Sequence, residues 1–152
     1  DILGNTDFFI NFVAFQSQTF QRHHNMKRIC LTTRDDLHII PIDKIAYIEA
    51  SGNYSNIAYI EGHKTMLTLG LSKVEEVIAA SYQQGTPSPF IRMGRSLIIN
   101  QNYLCSLNVL KQQIILSDFA QNRYVITAPK QLIKDYKEIV RTEYRKRLCQ
   151  KK

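Results

Sequence analysis

From residue 28 onward, the chain consists of short strand-like runs separated by turn residues. "RICLTT" and "LHIIPI" flank "RDD", and "KIAYIEAS" alternates apolar and polar residues up to Gly52-Asn53, a pair typical of hairpin turns. "YSNIAYI" and "KTMLTL" then enclose a second turn at 61–63. These runs predict antiparallel strands joined by tight turns. Further strands are predicted at 90–92, 97–99, 103–107, 113–116 and 123–127.

The spacing of apolar residues changes from alternating to helical after Gly70. Ser72 and Glu75 are three residues apart, as in a capping box, where each side chain binds a free backbone N–H at the start of a helix. Together these features predict an amphipathic helix at 73–83. Its apolar face would comprise Leu71, Val74, Val77, Ile78 and Tyr82.

Pro129 is typical of a first helical position and predicts a second helix near the end of the chain. The strand-like runs and the two helices together predict a mainly β fold of short antiparallel sheets, with one internal amphipathic helix and one basic C-terminal helix. No helix–turn–helix pattern is present, so a standard recognition helix is not expected. The apolar face of the second helix would comprise Leu132, Ile133, Tyr136, Ile139 and Val140.

Positive charge is concentrated at the C-terminal end of the chain. The chain carries a net charge of +7, and residues 130–152 hold nine basic and three acidic side chains, a net charge of +6. Residues 1–129 are therefore nearly neutral, and residues 141–152 form a basic C-terminal tail. Such a run favours a polyanion, either nucleic acid or an anionic membrane, or else forms a solvated helix face.

Residues 1–27 differ in composition from the rest and are predicted to be a linker or the end of a preceding segment. Five phenylalanines lie between positions 8 and 20, with spacing closer to helical than to alternating. The apolar stretch "FFINFVAF" is too short to span a bilayer and lacks the features of a signal peptide. Because residue 1 is Asp rather than Met, we expect the chain to be part of a longer protein.

No residue pattern indicates enzymatic chemistry. His23-His24 lie in a polar stretch, and Asp35-Asp36 lie in a predicted turn, where Asp is favoured for its local hydrogen bonds. The segment most like a phosphate-binding loop, "TLGLSK", lacks the required glycines. We therefore expect no catalytic residues and no cofactor.

The cysteines indicate the cellular environment. Cys30, Cys105 and Cys149 are odd in number and far apart, without the spacing of a zinc site. Reduced thiols of this kind are typical of cytoplasmic proteins, so we expect a cytoplasmic protein without a bound metal.

Three segments together resemble the LytTR-type DNA-binding domain, the output domain of LytR/AlgR-class bacterial response regulators. They are "IAYIEASGNYSNI", "TLGLSKVEEVI" and "FIRMGRSLIINQNYL", in the family's order within residues 28–140. The resemblance implies an elongated arrangement of short antiparallel sheets whose loops enter successive major grooves and the minor groove between them. It also implies binding of double-stranded DNA at paired direct repeats by two copies, as a homodimer on DNA, with a receiver or sensor domain upstream.

The resemblance also implies which residues contact DNA. In the family pattern F-x-R-x-H-R-S-x-x-V-N, Arg95 matches the residue that reaches the bases, and Arg92 is expected to be more structural. The loop at 53–55 would enter a major groove, while Arg92, Lys64, Lys130 and Lys134 would approach phosphates. The predicted DNA-binding residues are Asn53, Tyr54, Ser55, Lys64, Arg92, Arg95, Ser96, Asn100, Lys130 and Lys134.

The chain departs from the family pattern at two positions. Gly94 occupies the position of the family's His, and Pro129-Lys130 replaces a Ser-Arg pair. Lysine keeps the positive charge but cannot form the bidentate contact that arginine makes with guanine. Lys130 is therefore expected to bind phosphate rather than a base edge.

A second class of function is compatible with the same residues. The aromatic segment at 8–20 and the nearly neutral body favour a non-catalytic, β-rich protein-interaction or dimerisation module tethered to a membrane sensor. A single-stranded RNA-binding sheet would need aromatic residues on one face of adjacent central strands, and Tyr47, Tyr54 and Tyr59 do not obviously supply them.

Overall fold

The computed structural model describes residues 27–150, which fall into two compact units, 27–43 and 44–150. The first unit contains the hairpin of β1 (Arg28–Thr32) and β2 (Leu37–Pro41). The Thr33 Oγ1 atom accepts a hydrogen bond from the Asp36 amide at 3.0 Å and closes the turn. The predicted "RDD" turn between two strands is therefore confirmed. The predictions for residues 1–26 lie outside the described residues.

The second unit contains eight strands, two α-helices and a short 3₁₀ turn at Gln101–Tyr103. The elements are β3 (Ile45–Ser51), β4 (Tyr54–Tyr59), β5 (Lys64–Leu67), α1 (Leu71–Ala80), β6 (Phe90–Met93), β7 (Leu97–Asn100), β8 (Leu104–Asn108), β9 (Gln113–Ser117), β10 (Arg123–Thr127) and α2 (Lys130–Gln150). The strands form two antiparallel sheets, in the orders β5-β4-β3-β7-β6 and β10-β9-β8. The mainly β fold class is confirmed.

The start of α1 differs from the prediction. The helix begins at Leu71, and its N-cap residue is Gly70, so no side chain caps the helix. Ser72 lies within the first turn, and Glu75 bonds to Arg92 on β6 instead of to a backbone N–H. The capping-box prediction was therefore wrong, because the helix begins one residue before Ser72 and the Glu75 carboxylate pairs with Arg92.

One side of the five-stranded sheet faces the three-stranded sheet and α2, and the core of the second unit lies between them. The rings of Tyr47 and Tyr124 meet edge to face, with centroids 5.2 Å apart, and the Tyr124 hydroxyl donates to the Tyr59 carbonyl at 2.8 Å. The buried cluster comprises Ala46, Tyr47, Ala58, Ile60, Met93, Leu97, Ile99, Ile114, Leu116, Ala128, Ile133 and Tyr136.

Helix α2 confirms the predicted second helix and continues without a break through residue 141 to Gln150. Ile133 and Tyr136 are buried, and the Tyr136 hydroxyl donates to the Gln101 Oε1 atom at 2.9 Å. Ile139 was predicted on the same apolar face, but 54% of it is exposed. No helix within residues 27–150 combines the length and apolar character needed to cross a bilayer.

Candidate nucleic-acid interface

Two turns that are distant in sequence lie at the same end of the five-stranded sheet. Strand β3 ends at Ser51, and near that end the Ala50 amide donates to the Ser96 carbonyl at 2.8 Å. Glu49 pairs with Leu97, so β7 begins beside the last residues of β3. The antiparallel register therefore brings the β3–β4 turn next to the β6–β7 turn.

Four predicted DNA-binding residues are exposed at this end of the sheet: Asn53, Tyr54, Arg95 and Ser96. Tyr54 is 46% exposed although it lies in the first position of β4. Within the described part of the chain, the Arg95 side chain makes no hydrogen bond or ion pair. Its guanidinium is therefore available to a ligand outside the domain.

The β6–β7 turn is held from one side by Arg92. The Arg92 Nε atom donates to the Gly94 carbonyl at 3.0 Å, and Nη2 donates to the Arg95 carbonyl at 2.9 Å. The remaining nitrogen, Nη1, lies 2.8 Å from Glu75 Oε2. Because all three nitrogens are engaged inside the domain, Arg92 fits the structural role expected of it, while its predicted phosphate contact stays a prediction.

The same turn is held from the other side by α2. Gly94 has a φ of +74°, and a Cβ atom at this position would lie 3.1 Å from Leu132 Cδ1. The residue that departs from the family pattern thus has a local reason, because its missing side chain leaves room for the first turn of α2. Lys130 and Lys134 lie on this part of the helix, and both are exposed.

Two predicted contact residues are buried and satisfied within the domain. Ser55 is fully buried, and its Oγ atom donates to the Leu69 carbonyl at 2.8 Å. Asn100 is 1% exposed, its Nδ2 atom donates to the Ile45 carbonyl at 2.9 Å, and its Oδ1 atom accepts from the Asn102 amide at 3.0 Å. Both side chains stabilise the framework in this structure, and the predicted DNA contacts of the two residues stay predictions.

Lys64 is the predicted residue that the register separates from the others. It begins β5 and pairs with Ala58, whereas the far end of β5, Leu67, pairs with Ser55 near the two turns. Three residues of strand place Lys64 about 10 Å from that end. Burial raises the pKa of Tyr124, and the nearby Lys64 ammonium partly opposes this shift.

Sequence reasoning missed Glu75 and Leu132 as residues of this region. Glu75 matched a helix-cap motif, and Leu132 was one of several apolar residues on the predicted face of α2. The segment at 68–70 was also missed, and the Ser55 hydrogen bond to Leu69 holds it at the same end of the sheet. The sequence signal for a close approach of α2 to this turn was Gly94, which occupies the position of the family's His.

The described residues contain no group of three or more His, Cys, Asp or Glu side chains that could hold a metal ion. The exposed residues of the candidate interface are cationic, amide, hydroxyl and aromatic. These groups are suited to binding phosphate oxygens and base edges.

Two comparisons relate the chain to known proteins. A protein-family model described as the LytTr DNA-binding domain matches residues 35–141. Among solved structures, the LytTr DNA-binding domain of a methyl-accepting/DNA response regulator from Bacillus cereus is similar, with 19% sequence identity and a TM-score of 0.48. The match covers 74% of this chain and 95% of that one. No curated protein sequence matches the chain significantly. Since the family model spans well over half of the sequence, the chain belongs to the LytTr DNA-binding domain family.

Proposed function

We propose that this chain binds double-stranded DNA at a preferred sequence, as the output module of a bacterial transcriptional regulator. Membership of the LytTr DNA-binding domain family supports DNA as the ligand. The nearly neutral body and the basic α2 are consistent with a protein that approaches DNA through a limited surface.

The observation that carries the proposal is the position of Arg95. Its side chain is exposed and has no partner within the described part of the chain, while the backbone of its turn is held by Arg92. A guanidinium on a rigid turn can make the bidentate contact with guanine O6 and N7 that distinguishes base pairs in the major groove. Arg95 thus combines an exposed guanidinium with a backbone that Arg92 holds in place.

Asn53 and Tyr54 extend the same surface. Both are exposed on the neighbouring β3–β4 turn, and an asparagine amide can pair with adenine N6 and N7. In this proposal Arg95 and Asn53 contact base edges, Ser96 and Tyr54 contact the backbone or neighbouring bases, and Lys130 and Lys134 neutralise phosphates.

The proposed mode of assembly rests on the resemblance to the family and not on contacts within one chain. Two copies are proposed to bind paired direct repeats, with an upstream receiver or sensor domain controlling their activity. A head-to-tail arrangement of two domains on direct repeats does not require the isolated domains to dimerise in solution.

The proposal can be tested by selection from a random duplex library with the wild-type chain, Arg95→Ala and Arg123→Ala. Arg123 is an exposed arginine on the three-stranded sheet and serves as a control for loss of one positive charge. We expect wild type and Arg123→Ala to enrich the same motif, and Arg95→Ala to lose it at least in part.

Binding without enrichment by wild type would indicate a salt-dependent polyanion binder. No binding at low salt would contradict the proposal and favour the alternative, a protein-interaction module tethered to a membrane sensor. Co-sedimentation of the chain with liposomes would then be the next measurement.

A further inference from the structure

An ion pair between a helix and a sheet lies beside the proposed base-contacting turn. Glu75 is on α1, Arg92 is on β6, and their charged atoms are 2.8 Å apart. Both side chains line a cavity of ≈ 170 Å³ whose other walls include Ile78, Phe90 and Ile98. The Arg92 side chain is 30% exposed and that of Glu75 46%, so the ion pair is partly shielded from solvent.

The same guanidinium binds the two peptide carbonyls that precede and follow the Cα atom of Arg95. Its Nε and Nη2 atoms donate to the Gly94 and Arg95 carbonyls at 3.0 and 2.9 Å. A guanidinium is planar and rigid, so fixing Nη1 on the Glu75 carboxylate also fixes the direction of the other two donors. Glu75 is therefore linked to the backbone of Arg95 through a single rigid group.

We propose that Glu75 is a positioning residue for DNA recognition, which acts through Arg92 to hold the β6–β7 turn and so sets the direction in which Arg95 leaves the sheet. This inference rests on the proposed role of Arg95 as a base-contacting residue. Glu75 itself touches no DNA. A bidentate base contact requires a defined geometry, whereas attraction to phosphates tolerates displacement of the charge. Loss of Glu75 thus lowers sequence discrimination more than overall affinity.

The test compares Glu75→Ala with Glu76→Ala in the full chain. Glu76 is the next residue of the same helix, is exposed, and pairs only distantly with Lys73 at 3.8 Å, so both variants remove one negative charge. The measured quantity is the affinity for the duplex selected by wild type divided by the affinity for a shuffled duplex. We expect this ratio to fall about fivefold in Glu75→Ala and to stay at the wild-type value in Glu76→Ala.

A double variant separates positioning from a general loss of stability. If Glu75 acts through Arg95, adding Glu75→Ala to Arg95→Ala leaves the remaining discrimination ratio unchanged. An equal fold-loss in the wild-type and Arg95→Ala backgrounds would overturn the proposal, because Glu75 would then affect binding by another route.

A measurement without DNA tests the link itself. The Arg92 Nε–H group is hydrogen-bonded to the Gly94 carbonyl, so its proton exchange with solvent can be followed by NMR in the free protein. We expect faster exchange in Glu75→Ala and wild-type exchange in Glu76→Ala. Unchanged exchange together with an unchanged ratio would overturn the positioning role while leaving the proposed function intact. A wild-type chain that prefers no duplex would refute the proposed function, and with it any role of Glu75 in recognition.

Discussion

The Cδ1 atom of Leu132 lies 3.1 Å from the position that a Cβ atom on Gly94 would occupy. This approach joins the first turn of α2 to the β6–β7 turn, so Lys130 in that helical turn lies near the turn that carries Arg95. The geometry leaves no room for the family's His at this position without a shift of Leu132. Several measurable consequences depend on this contact and on the hydrogen bonds around it.

Gly94→Ala is expected to destabilise the domain by about 1–3 kcal/mol, because the new Cβ meets Leu132 and because Ala is strained at a φ of +74°. Urea unfolding provides the measurement. Gly85→Ala is the matched control, since Gly85 has a φ of +90° but no atom within 4 Å of its added Cβ. Equal losses in the two variants would show that backbone strain alone accounts for the effect and that the Leu132 contact is unimportant.

Arg95→Ala is expected to weaken binding to the selected duplex by about 1–3 kcal/mol and to change binding to random duplexes much less. The physical reason is that a base contact contributes only at the matching sequence. Fluorescence anisotropy titrations with both duplexes measure the two affinities, and Arg123→Ala again controls for charge. If both duplexes lost the same free energy, Arg95 would be acting only by neutralising phosphates.

Removal of residues 141–152 is expected to flatten the dependence of binding on salt. Each phosphate neutralised contributes a slope of about 0.9 in a plot of log K against log salt concentration. Two of the tail's basic residues already pair with acids on the same helix, Arg141 with Glu138 at 3.8 Å and Lys146 with Glu143 at 3.5 Å. We therefore expect the slope to fall by less than about 0.9 for each positive charge in the tail.

Truncation at residue 140 retains Ile133 and Tyr136, which anchor α2 in the core. Circular dichroism will show whether the shortened domain is folded before its slope is compared. A slope identical to that of the full chain would mean that the tail is a solvated helix face or serves another partner.

Asn100→Ala is expected to cost about 2 kcal/mol or more of stability, because it leaves the buried Ile45 carbonyl and Asn102 amide without their partner. Asn53→Ala should change stability by less than about 0.5 kcal/mol, since Asn53 is exposed. The order of the two variants should be the opposite for DNA affinity. We expect Asn53→Ala to bind DNA more weakly and folded Asn100→Ala to bind with wild-type affinity. Thermal unfolding and titration of the same two samples check this pair, and a stable Asn100→Ala with weak binding would restore Asn100 as a contact residue.

Burial of Tyr136 raises the pKa of its hydroxyl to about 12, so the folded state favours the neutral side chain. The folded pKa lies above the unfolded value near 10, and the associated stability is complete below pH 10 and is lost as the pH rises towards 12. Urea unfolding between pH 9 and 12 should show this decline, and Tyr136→Phe should make it shallower. Tyr54→Phe is the control, since Tyr54 is 46% exposed and lies on a different element. A decline as steep in Tyr136→Phe as in wild type would assign it to other groups.

Much of the fold follows from short-range features of the sequence. Gly52-Asn53 marked the β3–β4 turn, and short apolar runs marked strands whose observed ends differ by at most two residues from the predicted ones. These features are local, because turn chemistry and the alternation of side chains depend on neighbours a few residues away. The resemblance to the LytTR-type domain was likewise carried by contiguous segments, and the family match over residues 35–141 confirms it.

Other features depended on which residues the sheet brings together. In the sequence, Ser55 and Asn100 are polar residues within segments that resemble the family's. Only the packed structure showed that their side chains donate hydrogen bonds to the Leu69 and Ile45 carbonyls in the interior. Lys64 likewise follows the segment "IAYIEASGNYSNI", but it lies at the end of β5 that is farther from the two turns. Burial and strand register are properties of the whole sheet, so local sequence patterns could not decide between framework and surface roles for these residues.

The sequence by itself determined the class of fold, the order of its turns and the family, because each depends on local patterns along the chain. The tertiary structure alone decided that Glu75 binds Arg92, that Arg92 holds the turn, and that the exposed Arg95 side chain has no charged partner among residues 27–150. The physical reason is competition between partners. A carboxylate or guanidinium can satisfy several nearby groups, and only the assembled helix and sheet establish which of them lies within 3 Å.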